Sequence, residues 1–442
     1  MNYNDLTAVV NKLSLLNEDE QLLIKKKVEL SNNTYQLIQY NKSKLNKNNY
    51  DDYGLFRSII FNLNNKNMVC YSPPKSLTFE LFQKKINNSV IVEEFVEGTM
   101  INLFYDENTW QIATKGSIGG NCKFYQGEGS QTFYDMFKQT CEEVNFNYNI
   151  LPTEYSYSFI MQHTNNRIVK PLKNNNLYFI TAYKIDNIND EIKVEDLIGS
   201  NEMKLITSKM IENTQIKFPE QYGEFSKNEI HNMDEYYNIY ASKNTKYSIM
   251  GVIFKDNISG LHMKLRNPNH QEIHALKGNQ CKIQYIYLNL RKNGNINKYL
   301  QFYPEDRNTF SILRTQMHSY SKQLYENYIG CYIKKMKPLK EWPFEYRTHM
   351  FNIHKIYLNE LIENKQKITM HIIIQYINDL HPSQQMYALN YNLRKKNMEV
   401  FAMEINKNEE KKKEEEDKEE DKEEDKEEDK EEDKEEEETL DC

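Results

Sequence analysis

Apolar and polar positions follow three different rhythms along this chain of 442 residues. In residues 1–45, Leu13, Leu15, Leu16, Leu22, Leu23, Ile24 and Val28 are spaced through polar sequence, which predicts one or two amphipathic helices. Near Tyr53 the character changes. Short segments rich in β-branched and aromatic residues follow one another: Ser58–Leu63, Val90–Phe95, Met100–Tyr105, Trp110–Thr114, Tyr157–Gln162 and Leu177–Tyr183. Clusters of Asn, Gly and Asp separate them, so they predict antiparallel strands. Tyr247–Phe254 and Leu261–Leu265 predict two more, joined by a turn at Lys255–Gly260, while residues 190–245 read as partly helical. Beyond about residue 285, Ser311–Lys335, Tyr346–Glu363 and Ile368–Leu380 carry apolar residues at three-to-four spacing and predict helices. Pro338, Pro343 and Pro382 mark breaks between them.

The tail repeats Asp-Lys-Glu-Glu from Asp417 onward. A repeat with no apolar position cannot build a core, so it is expected to be disordered or a lone charged helix. The domains expected are a helical segment at 1–48, a strand-rich domain at 49–284, a helical domain at 285–400 and a low-complexity acidic tail at 401–442. The fold class expected is α+β: two antiparallel sheets forming a groove, then helices.

Charge sharpens this division. The formal net charge is −8, yet Glu409–Cys442 holds 23 acidic and 8 basic residues, leaving 42 acidic and 49 basic in residues 1–408. A mildly basic body suits an anionic partner such as nucleic acid, and the acidic tail suits a basic protein. No apolar run reaches the 18 or so residues that would span a bilayer, and the N-terminus does not read as a signal peptide. The six cysteines are scattered without a CxxC pair, which favours a reducing, intracellular setting over a disulfide framework or zinc knuckle.

Distinctive phrases close the strand pairs. They are Glu94-Phe95-Val96-Glu97-Gly98-Thr99-Met100-Ile101; Ala113-Thr114-Lys115-Gly116-Ser117-Ile118; Phe159-Ile160-Met161-Gln162 running into Asn166-Arg167-Ile168-Val169; Met250-Gly251-Val252-Ile253; and Lys264-Leu265-Arg266 before His270 and His274. An earlier strand reads Phe56-Arg57-Ser58-Ile59-Ile60. In order and spacing, over roughly residues 50–280, this set resembles the motifs of covalent nucleotidyltransferases, and among them the bacteriophage RNA ligases that repair cut tRNA. That family reads Lys-x-Asp-Gly, then Lys-Gly-Ser, then a Glu strand leading to Asn-Arg-Ile-Val, then Glu-Gly-x-Val, and last Lys-x-Lys. The helical region, with Pro-Leu-Lys-Glu-Trp-Pro, looks like ligase-like proteins of large DNA viruses, which would place the protein in a viral factory, cytoplasm or nucleus.

The resemblance implies a lysine that attacks the α-phosphate of ATP and carries AMP as a phosphoramidate. It implies carboxylates that hold Mg, and two late cations on the phosphates. Aligned on the motifs, the nucleophile falls on Phe95, the Asp on Glu97, the strand Glu on Ile160 and the Glu of Glu-Gly on Met250. Gly98 is kept, and Lys-x-Lys becomes Lys264-x-Arg266. The expectation is therefore a degenerate site, with no catalytic residue and no metal ligand. It would bind RNA or nucleotide through Arg57, Glu97, Gly98, Lys115, Asn166, Arg167, Lys264 and Arg266 without self-adenylylation.

Two other readings stand beside it. An active RNA ligase would use a displaced lysine, Lys115 before Lys75, with Glu97 and nearby Glu93 or Glu94 serving the metal. A structural protein would have kept the fold alone. His270 and His274 lie one helical turn apart but lack a third zinc ligand, so they are read as filling the end of the last motif. Gly116–Gly120 reads as a strand-to-turn segment before a phosphate cradle. The Tyr-rich stretches Tyr285–Tyr287 and Tyr320–Tyr328 read as helical core before base-stacking surface.

Overall fold

The computed structural model describes residues 22–399, apart from 31–32, 47, 87–88, 124–129, 189–190, 227–228 and 230–232. The acidic repeat and the first 21 residues lie outside the described residues, as does most of Gly127–Ser130. The chain divides into two compact units, Met1–Lys282 and Ile283–Cys442.

The first unit holds three antiparallel sheets. Strands β1 (Leu23–Leu30), β2 (Asn33–Tyr40), β3 (Ile59–Asn62) and β4 (Asn67–Tyr71) form a meander in that order. Over the described part of residues 1–45 this corrects the expectation of helices. The segment Leu23–Tyr40 is a hairpin, with Leu23 opposite Tyr40 and Leu30 opposite Asn33. Alternation decides it: Tyr35 and Leu37 point inward at alternate positions with Ile60, Cys70 and Phe104. Spaced leucines imitated a helical stripe while β-branched and aromatic residues on β2 favoured the sheet. It also makes the sheets three where two were expected.

The second sheet has six strands, ordered β11 (Glu191–Asp196), β10 (Asn176–Ile188), β9 (Tyr155–Gln162), β6 (Thr99–Asp106), β7 (Thr109–Thr114) and β8 (Ser117–Ile118). One face, carrying Ile101, Leu103, Phe159 and Phe179, packs with α2 (Phe133–Glu143) and α3 (Asn201–Ile211) into a core that includes Phe137 and Met210. The other face is shared. Phe104 and Ala113 meet the first sheet, whereas Met100, Ile160 and Tyr178 form a separate small apolar cluster with Val96.

The third sheet is ordered β12 (Gln221–Phe225), β5 (Val90–Glu94), β13 (Gly251–Asp256), β14 (His262–Arg266). Period-two alternation sorts its residues. Val90, Val92, Val252, Phe254 and Met263 face a core with Phe82 of α1 (Phe79–Lys85) and Met233 of α4 (Met233–Tyr240). The intervening residues Glu93, Ile253, Lys255, His262 and Lys264 take the opposite face. The chain passes from the third sheet to the second between Glu94 and Thr99.

The second unit is helical as expected. Its helices are α6 (Ile283–Lys292), α7 (Ile296–Phe302), α8 (Arg307–Tyr328), α9 (Phe344–Ile356), α10 (Met370–Asp379) and α11 (Pro382–Leu389). Phe310, Leu313, Met317, Tyr320, Leu324 and Tyr328 form the buried stripe of α8 at three-to-four spacing. Tyr320 and Tyr328 are buried there and Tyr287 is buried on α6, so these rings are core residues. No helix among the described residues is long and apolar enough to cross a membrane.

Phe254 is fully buried at the centre of the third sheet. Phe254→Ala is expected to lower stability by about 3–5 kcal/mol, read as a fall in the denaturant midpoint. Ile258→Ala, at a side chain that is 65% exposed, should change it by less than about 0.5 kcal/mol.

Candidate functional site

A groove opens where the third sheet faces the free part of the second. Register places its residues in rows across β13. Glu93, Ile253 and Lys264 form one row, since Ile253 pairs with both neighbours. Phe95, Gly251 and Arg266 form the next: Gly251 pairs with Arg266, and the Phe95 amide donates to the Gly251 carbonyl at 3.3 Å. Because Gly251 carries no side chain, the ring of Phe95 and the cations of β14 meet across the central strand. Lys264 Nζ lies 4.7 Å from the Phe95 ring centroid, and the Arg266 guanidinium carbon lies 5.2 Å from it. Both are within cation–π range. A Cβ at Gly251, where φ is +133°, would sit 2.0 Å from the Leu265 carbonyl oxygen.

The opposite wall is apolar. Met100 and Ile160 are paired neighbours in the second sheet, and Met250 joins them from the segment before β13. Gly98 lets the crossing segment lie against β9: its φ is +155°, and a Cβ there would be 2.5 Å from Ile160 Cγ2. Arg57, Lys255, Asp196 and Tyr183 close the far end. Asp196 is engaged by Thr181 Oγ1 at 2.8 Å and the Ile198 amide at 3.0 Å.

Charge in the groove is shaped by burial. Burial, with the Arg57 and Arg266 guanidinium groups, brings the Lys264 ammonium down to about 7, and Glu93 opposes this only in part. Burial also depresses Arg57 and raises the Glu93 carboxyl, although Lys255 pulls Glu93 back down. His262 is pushed well below the usual imidazole range, by burial first and by Lys264 second. Among the described residues Lys264 has no hydrogen-bond or ion-pair partner.

Five expected site positions lie around this groove: Arg57, Phe95, Gly98, Lys264 and Arg266, with Ile160 and Met250 where carboxylates were sought. Four do not. Lys115 was expected to point into the groove; its Nζ instead lies 4.9 Å from the Tyr40 ring centroid, on the first-sheet side. The turn after β7 aims it there, and burial lowers its pKa, helped by Arg57 and Lys42. Lys75 likewise sits over Tyr50, at 4.5 Å.

Asn166 donates to Thr99 Oγ1 at 2.9 Å, and Arg167 donates to the Val169 carbonyl at 3.0 Å, so both secure loops. Glu97, expected near a metal, is 7% exposed and its oxygens are taken. It accepts from the Val169 and Lys170 amides at 3.1 and 3.0 Å, and His270 Nε2 lies 2.5 Å from its second oxygen. His270 comes from α5 (Pro268–Lys277), which starts at an Asn267 cap followed by Pro268. His270 thus serves Glu97, and among the described residues no group of three His, Cys, Asp or Glu is placed to hold a metal ion. Sequence reading weighed Glu93 only as a metal ligand of an active enzyme and missed Lys255 and His262; Lys255 fell in a predicted turn, whereas alternation along the predicted strand Leu261–Leu265 already placed His262 on the face of Lys264.

Removing the Glu97 carboxylate would leave two backbone amides and a buried imidazole without their acceptor, at about 1–3 kcal/mol each. Glu97→Ala is expected to lower the melting temperature by several degrees or more. Glu97→Gln, which keeps one acceptor oxygen, should recover part of the loss in the same thermal melt.

No protein-family model matches the chain, and no curated protein does. Solved structures do resemble it at low identity. An archaeal ATP-dependent RNA ligase aligns with a TM-score of 0.37 at 9% identity, covering 86% of this chain and 77% of that one. An RNA ligase of Naegleria gruberi, solved with pyrophosphate, aligns with a TM-score of 0.32 at 11% identity, covering 44% of this chain and 54% of that one. The chain thus spans about half the length of the Naegleria ligase it matches.

Proposed function

We propose that the groove binds a nucleotide, free or as the phosphorylated end of an RNA, in the manner of RNA-ligase-like nucleotidyltransferases, and that the family's route through residue 95 is closed. One observation carries this reading: residues from motifs spread between Arg57 and Arg266 border a single groove. Their order along the chain resembled a ligase pattern, and their convergence supports it. Arg57, Lys255 and Arg266 offer positive charge to phosphates, while Met100, Ile160 and Met250 offer an apolar surface to a sugar or base. Phe95 has no heteroatom with which to attack a phosphate.

The resemblance also implies ATP and Mg. The cations of the groove fit a nucleoside triphosphate. The protein's own donors fit a metal poorly: Ile160 and Met250 supply no oxygen, Glu97 is occupied by His270 and two amides, and among the described residues Glu93, Glu94 and Asp196 of the groove are not gathered with a third ligand into a metal-holding group. Fixed guanidinium groups would take over the task of offsetting phosphate charge. The alternative of Lys115 as a displaced nucleophile loses support, because that lysine does not border the groove. An interaction protein that has lost all ligands would bind neither nucleotide nor RNA.

Titration of ATP, and separately of a 5′-phosphorylated RNA, against the purified protein tests this. Arg266→Ala is expected to weaken binding by about 10-fold or more, the effect of one charge-assisted hydrogen bond. Lys115→Ala should stay within about 2-fold, and added salt should weaken binding of the RNA. A folded wild type that binds neither ligand overturns the proposal and leaves the structural role.

A further inference from the structure

We propose that Lys264 is a displaced nucleophile, accepting the nucleotidyl group that the family's lysine would carry at residue 95. The inference rests on the groove reading above. Its ground is position: Lys264 Nζ lies 4.7 Å from the centroid of the Phe95 ring, so the amine hangs over the side chain that replaced the expected nucleophile. It projects from the middle of β14, a strand held by its pairing with β13, rather than from a loop. Among the described residues it has no acceptor to hold it as an ammonium.

The groups that face it explain its reactivity. Arg57 lies before β3 and Arg266 on its own strand, and both oppose a third positive charge. His262 is kept neutral by burial, and Phe95 and Ile253 are apolar. Glu93 stands in the same row on β5, with Lys255, Asp196 and Tyr183 further along the groove. The balance brings the lysine down to about 7. A larger share of it is then the free amine at neutral pH than for an ordinary lysine at about 10.4.

The step balances with a nucleoside triphosphate as co-reactant. The Lys264 amine attacks the α-phosphorus and a P–N bond forms. The P–O bond to the β-phosphate breaks, and pyrophosphate leaves with the electron pair. The surplus proton on nitrogen passes to the Glu93 carboxylate, which burial makes a better base than a surface glutamate. Arg57 and Arg266 stay charged and offset the phosphates, so Lys264 is free to act as a base-form amine. The product is a lysine phosphoramidate.

The experiment incubates the full chain with α-labelled ATP, and separately GTP, with magnesium or manganese added. Label is read by denaturing electrophoresis and the modified residue by peptide mass spectrometry, with equilibrium ATP binding measured in parallel. The expected result is an acid-labile adduct on Lys264, with yield rising as pH is raised to about 7 and levelling above it. Lys264→Arg should still bind ATP and should lose label by about 100-fold or more, since its guanidinium does not deprotonate. Label mapped to Lys255, Lys115 or any other residue overturns the inference. ATP binding without label overturns it too, and leaves the groove reading intact. Neither binding nor label removes both.

Discussion

A buried carboxylate fixes the place where the chain leaves one sheet and enters another. Glu97 ties the crossing between β5 and β6 to the amides of Val169 and Lys170 and to His270 at the start of α5. Its own carbonyl accepts from Gln162 Nε2 at 2.8 Å, so the crossing is pinned to β9 as well. Everything that makes the groove depends on this anchor. Phe95 and Gly98 flank it, and their positions set the distance between a wall of apolar side chains and a wall of charged ones. Buried polar groups are expensive unless satisfied, and a fully satisfied one specifies a single arrangement. Here that arrangement is the offset between two sheets.

The groove's electrostatics follow from who lacks a partner. Arg57, Lys264 and Arg266 border one groove with the Phe95 ring and the carboxylates of Glu93, Glu94 and Asp196. Aromatic quadrupoles offset only part of the cost of bringing cations together. The remainder appears as depressed basicity at Lys264 and Arg57. Such perturbed groups concentrate where function needs them, since an anion arriving there relieves the repulsion. Ile160 and Met250 face these charges with apolar side chains from the other wall.

Much of the architecture was legible in the sequence because alternation is a strong signal. The strands at Val90–Glu94, Thr99–Asp106, Tyr155–Gln162 and His262–Arg266 match segments rich in β-branched and aromatic residues. The hairpin at Leu23–Tyr40 was not legible, because Leu22, Leu23, Ile24 and Val28 fit a helical stripe as well as a strand. The positions that line the groove were readable as a set of motifs. The direction of a side chain from a turn was not: Lys115 and Arg167 sit beside motif glycines and strand ends, yet local backbone geometry sends them to Tyr40 and Val169. Glu97 was misread for a different reason. Its place in the motif suggests a role in the groove, whereas its carboxylate is held by His270 and two backbone amides.

The glycine at position 251 decides what residue 95 can be. Because nothing rises from the central strand there, the Phe95 ring rests directly against the two β14 cations. A phenyl face is compatible with both; an ammonium in its place would be a third cation in the same few ångströms. A cationic side chain at 95 would therefore be opposed by β14 unless an anion lay between them.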